Sequence, residues 1–554
     1  MEIQAGLVDE SGVLPSRPRG SRGLEVSLLV AVLLFALFVR LGHTNRGLPY
    51  LHHVDEPHTS AVALTVMTTG DWNPHRFHYG SLNIYAAVAV DAAHYLWLAR
   101  SPDPITGKPI QLEDIQPMTQ DGWRLEISHP SFYHWNRATC GVLGALTVLA
   151  VFLIGRRFNP RVGLLAAGLL ATTPIHILNS AVVAPDVPVG FLVTLCVLLS
   201  SAYFVEGKTR ALVLAFVVAG LAIGTKYNSA LVVAVPYLAL ALRKDLTRPK
   251  PTWLWWAGLP IAIGTFFCVV PYAVLDLPLF LKHAGSQVAH YSVAGHGPAT
   301  IEAGWPHVVR QMERFGSTLS WPVVALALLG LLTSLRTRLG WIIFGFSIIY
   351  FFMQTRMVVS FHRNFLCLYP FIALGAGLGL SRILGWIGES RPRLRRGILA
   401  FATLGLATTM AWQASESAAV ANHRETRSVA ADRIAELALE RGWKSVGVAH
   451  YLRMHALDLI RIDADVETDP LPVLRRHESR YDAIICPVSY EIPGRGEDGE
   501  QNQNERSRRL NSYIPLGEPV LRIDGAAMDL GLPTEDPAVL VFEAPFEFGP
   551  HLDR

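Results

Sequence analysis

Several short polar motifs interrupt an apolar chain, and their residue types suit proton transfer and anion binding. The first, Pro49 to Pro57, sets Asp55 and Glu56 just beyond the first long apolar segment. Two adjacent carboxylates at a membrane edge need water, a partner or a chemical task to offset desolvation. A half-buried carboxylate beside a substrate hydroxyl can act as general base. The alternative is a helix cap, because an acid before Pro57 can satisfy free amides at a helix start. Asp186, in Ala184-Pro-Asp-Val-Pro188, carries the same two readings. If the two acids share one face of the protein, they can hold a divalent metal between them or divide acid/base and orienting roles.

Cations stand where a membrane protein usually avoids them. Lys226, in Gly224-Thr-Lys-Tyr-Asn228, Arg363, in Ser360-Phe-His-Arg-Asn364, and Arg137 all fall by the crossing count on the outer face, against the positive-inside tendency. They either snorkel or bind an anion such as a lipid phosphate. His52, His53, His58, His75 and His78 crowd the first outer loop without zinc-motif spacing. They read as solvated histidines, phosphate contacts or metal ligands. The stretch from Leu275 to Gly316, with His283, His290, Tyr291, His296 and Trp305, has the make-up of a substrate cover or of an interfacial loop with an aromatic belt.

These residues need a scaffold, and composition names its class. The chain has 554 residues, 51% hydrophobic and 17% charged, with a mean hydropathy of +0.31, which fits an integral membrane protein and not a soluble enzyme. The net charge of +3, with no basic tract interleaved with aromatics, gives no reason to expect nucleic acid. Five dispersed cysteines, four in apolar stretches, suggest neither disulfides nor zinc. Arg17, Arg19 and Arg22 before the apolar run 24–41 read as a cytoplasmic tail, 1–23, ahead of an uncleaved anchor.

Assigning Lys/Arg-rich turns to the cytoplasm predicts about eleven spans, at 24–42, 138–155, 162–180, 187–205, 211–225, 228–242, 253–272, 319–335, 340–356, 365–382 and 397–413. The stretch 81–99, with Asn83, Asp91 and His94, reads as a juxtamembrane or re-entrant helix. Residues 24–413 then form the membrane domain, with outer loops 43–137 and 273–318. Residues 414–554 form an extracytoplasmic α/β domain. A helix is predicted near 424–441 and strands at 445–449, 459–462, 483–488 and 538–542. The absence of Gly-x-Gly-x-x-Gly after the first strand argues against dinucleotide binding. That domain serves either acceptor positioning or stability, and its charged segment 494–509 reads as a loop.

The order His52-His-Val-Asp-Glu-Pro57, Gly70-Asp-Trp-Asn-Pro74 and Phe77-His-Tyr-Gly-Ser-Leu-Asn-Ile-Tyr85 resembles polyprenyl-phosphate-dependent glycosyltransferases of the protein O-mannosyltransferase and aminoarabinose-transferase type. The likeness continues through Arg137, Gly155-Arg-Arg157, Thr173-Pro-Ile-His176, Asp186-Val-Pro188, Gly224-Thr-Lys-Tyr227 and the segment Arg363 to Pro370. It implies a glycosyltransferase-C fold in the inner, plasma membrane. The substrates it implies are a polyprenyl-phosphate sugar donor and a glycan, lipid or protein acceptor on the outer face. By the same resemblance Asp55 is the catalytic base, Glu56 and Asp186 are its companion acids, and Lys226 and Arg363 contact donor phosphate. Arg137, His53 and Tyr79 complete the substrate-binding set, and no cofactor is implied beyond a possible divalent metal between Asp55 and Asp186. His362-Arg363-Asn364 departs from the more usual Arg-Tyr pair. The rival class is a transporter or flippase, because intramembrane Lys and Asp also line solute paths.

Overall fold

The structure is a computed structural model describing residues 19–48, 53, 55–100, 108–115, 117–120, 124–127, 129, 131–244, 249–296, 299–388, 391–422, 426–449, 465–469, 481–488, 518–523 and 538–544. The chain divides into two compact units, one of residues 1–44 with 55–420 and the other of 45–54 with 421–554.

The first unit is helical. It begins with α1 (Arg19–Leu41), α2 (Glu56–Thr69) and α3 (Leu82–Leu98), then an antiparallel hairpin of β1 (Pro117–Gln120) and β2 (Arg124–Ile127). Next come α4 (Ser131–Gly155), α5 (Pro160–Ala171), α6 (Pro174–Ser180), α7 (Asp186–Glu206), α8 (Thr209–Thr225) and α9 (Ala234–Leu242). It continues through α10 (Leu254–Val269), α11 (Tyr272–Leu275), α12 (Leu277–Ala289), α13 (Trp305–Leu319), α14 (Trp321–Ser334), α15 (Arg338–Gln354), α16 (Tyr369–Ile387) and α17 (Pro392–Asn422).

Five helical segments are long and apolar enough to cross a bilayer: Gly23–Leu41, Ser131–Gly155, Asp186–Glu206, His362–Ile387 and Pro392–Ala419. Two bent pairs, α5 with α6 at 63° and α13 with α14 at 114°, are further candidates, and Thr209–Thr225, Tyr227–Leu242, Leu254–Val269 and Arg338–Gln354 are apolar but shorter. The arrangement is that of a polytopic α-helical membrane protein. Side chains such as Leu24, Leu34 and Phe38 on α1 and Phe401, Leu404 and Trp412 on α17 stay exposed, as lipid-facing residues do.

Two expectations change. The stretch 162–180 is not one straight rod: Pro174 lacks an amide, Thr173 before it is extended (φ −71, ψ 112), and the helix breaks there. The stretch 273–318, read as a loop, is largely helical, comprising α11, α12, a π-helical turn His290–Ala294 and α13.

Small residues let these helices pack closely. A Cβ on Gly330 of α14 would collide with the Gly375 carbonyl of α16, and one on Gly379 of α16 with the Leu326 carbonyl of α14. Backbone contact of this kind is the usual way helices associate in lipid, where no hydrophobic force drives them together. The buried core runs through Val148, Phe152, Val193, Phe216, Phe344 and Leu374.

The second unit holds a mixed sheet of β3 (Ser445–Ala449), β4 (Asp465–Asp469), β5 (Ala483–Val488), β6 (Leu521–Ile523) and β7 (Ala538–Glu543), in the order β4-β3-β5-β7-β6. Strands β4, β3 and β5 run parallel and β7 and β6 antiparallel to their neighbours, so the layer is not an all-parallel Rossmann sheet. Helix α18 (Thr426–Arg441) packs Ala430, Ile434 and Ala438 against Val446, Val448, Ile485 and Val541. The run predicted at 459–462 and the segment 494–509 lie outside the described residues.

Candidate active site

Adjacent residues Asp55 and Glu56 point to different partners because a helix start turns successive side chains by about 100°. Glu56, at the first position of α2, is 1% exposed and receives Arg137 in a bidentate fork, Nε to Oε1 at 2.7 Å and Nη2 to Oε2 at 2.6 Å. The Val183 amide also donates to Glu56 Oε1 at 3.0 Å, and Arg137 Nη1 donates to the Thr44 carbonyl at 3.1 Å. One carboxylate therefore joins α2, α4 and the turn before α7. Glu56 and Arg137 are both buried and turned toward each other.

Asp55 occupies the N-cap position of α2 but makes no side-chain cap bond. Its Oδ2 lies 2.9 Å from Arg363 Nη2, and the two side chains are 13% and 20% exposed. The Arg363 guanidinium also stacks 4.5 Å above the Phe361 ring.

The second acid forms a deeper pair. Lys226 Nζ donates to Asp186 Oδ1 at 2.7 Å and to Asn364 Oδ1 at 3.2 Å, with Asp186 and Lys226 only 4% and 7% exposed. Asp186 opens α7 and Lys226 follows the last residue of α8, so this hairpin returns both ends to one level. The Tyr291 hydroxyl donates to the same Asn364 Oδ1 at 3.4 Å, and the Tyr350 hydroxyl donates to the Asn364 carbonyl at 2.9 Å. Asn364 is thus the joint between the two ion pairs, because its neighbour Arg363 holds Asp55. Sequence reading passed over it, although the departure from an Arg-Tyr pair was a signal.

The loop 70–80 closes over this cluster. Lys226 Nζ sits 5.7 Å from the centre of the Tyr79 ring, and burial first, then the carboxylates and Tyr291 nearby, push the Tyr79 phenol well above its ordinary range. The Tyr227 hydroxyl donates to the Phe77 and Tyr79 carbonyls at 3.2 and 2.9 Å. Gly80 has no room for a side chain, since a Cβ there would strike the Gly224 carbonyl. Asn73 Nδ2 reaches Asp276 Oδ2 at 2.9 Å, tying the loop to the start of α12. Arg76, another residue the sequence reading missed, lies close enough to Asp55 for the carboxylate to oppose the lowering of its pKa by burial.

The donor set does not suit a metal. Asp55 and Asp186 each hold a cation, and among the described residues no three His, Cys, Asp or Glu side chains gather as ligands. His53 falls in the segment grouped with the second unit, and His52 lies outside the described residues.

The chemistry this geometry offers is a carboxylate paired with a partly exposed cation, next to a second, deeper cation. Residues 136–272, which include Asp186 and Lys226, match the family model for dolichyl-phosphate-mannose-protein mannosyltransferase. ArnT from Cupriavidus metallidurans in the apo state superposes with a TM-score of 0.50 at 14% identity, over 94% of this chain and 98% of that one. The same protein bound to undecaprenyl phosphate gives 0.50 at 14% identity over 97% and 100%. The archaeal oligosaccharyltransferase AglB from Archaeoglobus fulgidus, in complex with an inhibitory peptide and a dolichol-phosphate, reaches 0.49 at 11% identity over 85% and 70%. No curated protein matches in sequence. The chain shares the fold of ArnT from Cupriavidus metallidurans, and its segment 136–272 matches the family model for dolichyl-phosphate-mannose-protein mannosyltransferase.

Proposed function

We propose that this protein moves a sugar from a polyprenyl-phosphate donor to a hydroxyl acceptor at the outer face of the membrane, with Asp55 as general base. The observation that carries the reading is the Asp55–Arg363 pair set beside the Lys226–Asp186–Asn364 cluster, in a fold shared with a protein crystallised with undecaprenyl phosphate.

The two pairs suggest how donor binding readies the base. A phosphate presents more charge to Arg363 than one carboxylate does, and this pair is the more exposed of the two. Donor phosphate therefore takes Arg363 from Asp55, while Lys226 stays anchored on Asp186 and offers a second cationic contact. Freed from its counterion, Asp55 becomes more basic. The acceptor oxygen attacks the anomeric carbon, its proton passes to Asp55, and the bond from that carbon to the phosphate oxygen breaks. The electron pair leaves with the lipid phosphate, stabilised by Arg363 and Lys226. A single displacement inverts the anomeric centre. In this scheme Glu56 and Arg137 are positioning residues that hold the start of α2, and no metal is needed. The acceptor is a glycan, lipid or protein hydroxyl.

The test is Asp55→Asn in the purified enzyme supplied with undecaprenyl-phosphate sugar. Transfer is expected to fall by about 10²- to 10⁴-fold, the usual worth of a positioned base, while undecaprenyl phosphate still binds. Turnover near that of the parent protein would remove Asp55 from this role. Mass spectrometry of envelope glycans, lipids and proteins after deletion names the acceptor as the species that loses a sugar.

A further inference from the structure

We infer that Arg314 of α13 is a positioning residue for Arg363: by holding Ser360 it fixes the Phe361 ring on which the Arg363 guanidinium lies. The inference rests on the reading of Arg363 as a contact to donor phosphate and adds the residue that aims it.

The chain between α15 and Arg363 has no helix of its own to set its path, and its neighbours supply that path. The Val358 amide donates to the Tyr291 carbonyl, the Ile301 amide to the Val358 carbonyl and the Ser360 amide to the Ala299 carbonyl, each at 2.8 Å. Helix α13 adds side chains from one face, since positions 307, 311 and 314 follow the i, i+4, i+7 spacing. His307 Nδ1 lies 2.9 Å from the Met357 carbonyl, which can only accept, so the proton is on that nitrogen. One turn further, Arg314 Nη1 donates to the Ser360 carbonyl at 3.0 Å and to its hydroxyl oxygen at 2.9 Å. Ser360 is 2% exposed.

The Ser360 carbonyl shares one rigid plane with the Phe361 amide, so a bond that orients the carbonyl orients the root of Phe361. Phe361 is extended (φ −85, ψ 133), and a 3-10 turn, His362–Leu368, begins directly after it. That turn carries Arg363 to Asp55 and Asn364 to Lys226. Arg363 folds back over the Phe361 ring at 4.5 Å. When donor phosphate takes Arg363 from Asp55, as proposed above, this stack stays in place and keeps the guanidinium plane aimed. A guanidinium binds phosphate through parallel bonds from a fixed fork, so its direction matters as well as its charge. Arg314 therefore acts on donor affinity without touching the donor, through two residues of chain and one ring.

The experiment measures undecaprenyl phosphate affinity of the full-length protein in nanodiscs for Arg314→Gln, Arg363→Lys and the two combined. Arg363→Lys keeps a cation that holds phosphate as a point charge, so binding stays measurable. Arg314→Gln alone is expected to weaken binding about tenfold, as the loss of a charge-assisted hydrogen bond does. Added to Arg363→Lys it is expected to cost less than about twofold, because the guanidinium it aims is gone. Both bonds to Ser360 leave from one nitrogen, so an ammonium can make both, and Arg314→Lys is expected to restore affinity to within about threefold of the parent. Ser360→Ala removes one of the two acceptors, with an expected loss of about threefold, and takes the place of Arg314→Gln in the cycle if that variant does not fold. Parental affinity in the folded variant would overturn the role. So would an equal loss on both backgrounds, the mark of a contact that only supports the fold. A parent protein that does not bind undecaprenyl phosphate would remove the donor reading and this role with it, while Asp55→Asn tests the base separately.

Discussion

A carboxylate's burial and partners decide what its removal does, and Asp55 and Glu56 separate on this point. Glu56 meets both Arg137 nitrogens and the Val183 amide with almost no exposure, so neutralising it leaves a buried guanidinium without its counterion. Glu56→Gln is expected to cost about 3 to 5 kcal/mol, the range for breaking one side of a buried pair. Asp55→Asn leaves a more exposed Arg363 that water can reach, so the fold should hold while transfer is lost. Thermal unfolding of the two variants in one detergent checks the contrast, and equal midpoints would contradict it. His78 adds a pH signature. Its ordinary pKa of 6.5 falls to about 4 in the folded protein, so between those values the unfolded chain binds more protons. Stability is therefore lost as pH falls through that window. His78→Gln, which has no charge to gain, should show a shallower decline in thermal midpoint from pH 6.5 to pH 4 than the parent protein.

Elements carry the site through contacts that no local pattern encodes. The acids and cations were legible in the sequence because each interrupts an apolar stretch: Lys226 and Arg363 stand out against the positive-inside tendency, and Asp186 beside two prolines. Their pairing was not legible, because Lys226 meets Asn364 across 138 positions and Arg137 meets Glu56 across 81. The same limit hid Arg76, which looks like any loop arginine until the fold sets it by His58. The break between α5 and α6 was foreseeable from Pro174, but what holds it was not. Arg40 of α1, wholly buried, donates to the carbonyls of Leu170 and Ala171 at 3.2 and 3.3 Å and lies 3.0 Å from His176 Nδ1. A cation on the last carbonyls of α5 complements its dipole and fixes the angle at which α6 leads to Val183 and Asp186. Arg40→Met should therefore lower the thermal midpoint by several degrees and reduce transfer without touching substrate. A folded variant with parental rate would refute that positioning role.

The whole molecule poses a question of parity. Asp55, Asp186, Lys226 and Arg363 meet at one level although they lie on separate helical segments, which requires α7 and α8 to leave and return as a hairpin. If the bent pair α5 and α6 counts as one crossing, as do the bent pair α13 and α14 and the segment Tyr227–Leu242, the described helices of the first unit make an odd number of crossings. Helix α3 is the segment that can upset this count. Its Asp91 is fully buried and accepts from Asn136 at 2.8 Å, and its His94 lies 2.9 Å from the Ser131 hydroxyl. Burial pushes the Asp91 carboxyl well above its usual range, despite the opposing hydrogen bond from Asn136. A helix that spends its polar groups on α4 is packed against protein there, which suits a segment that dips or lies flat more than one facing lipid. Reporter fusions decide the matter. Alkaline phosphatase joined after Ala99 and after Gly442 should be active, whereas the same enzyme joined after Gly207, at the α7–α8 turn, should be inactive. Activity after Gly207 with silence after Gly442 would make α3 a crossing.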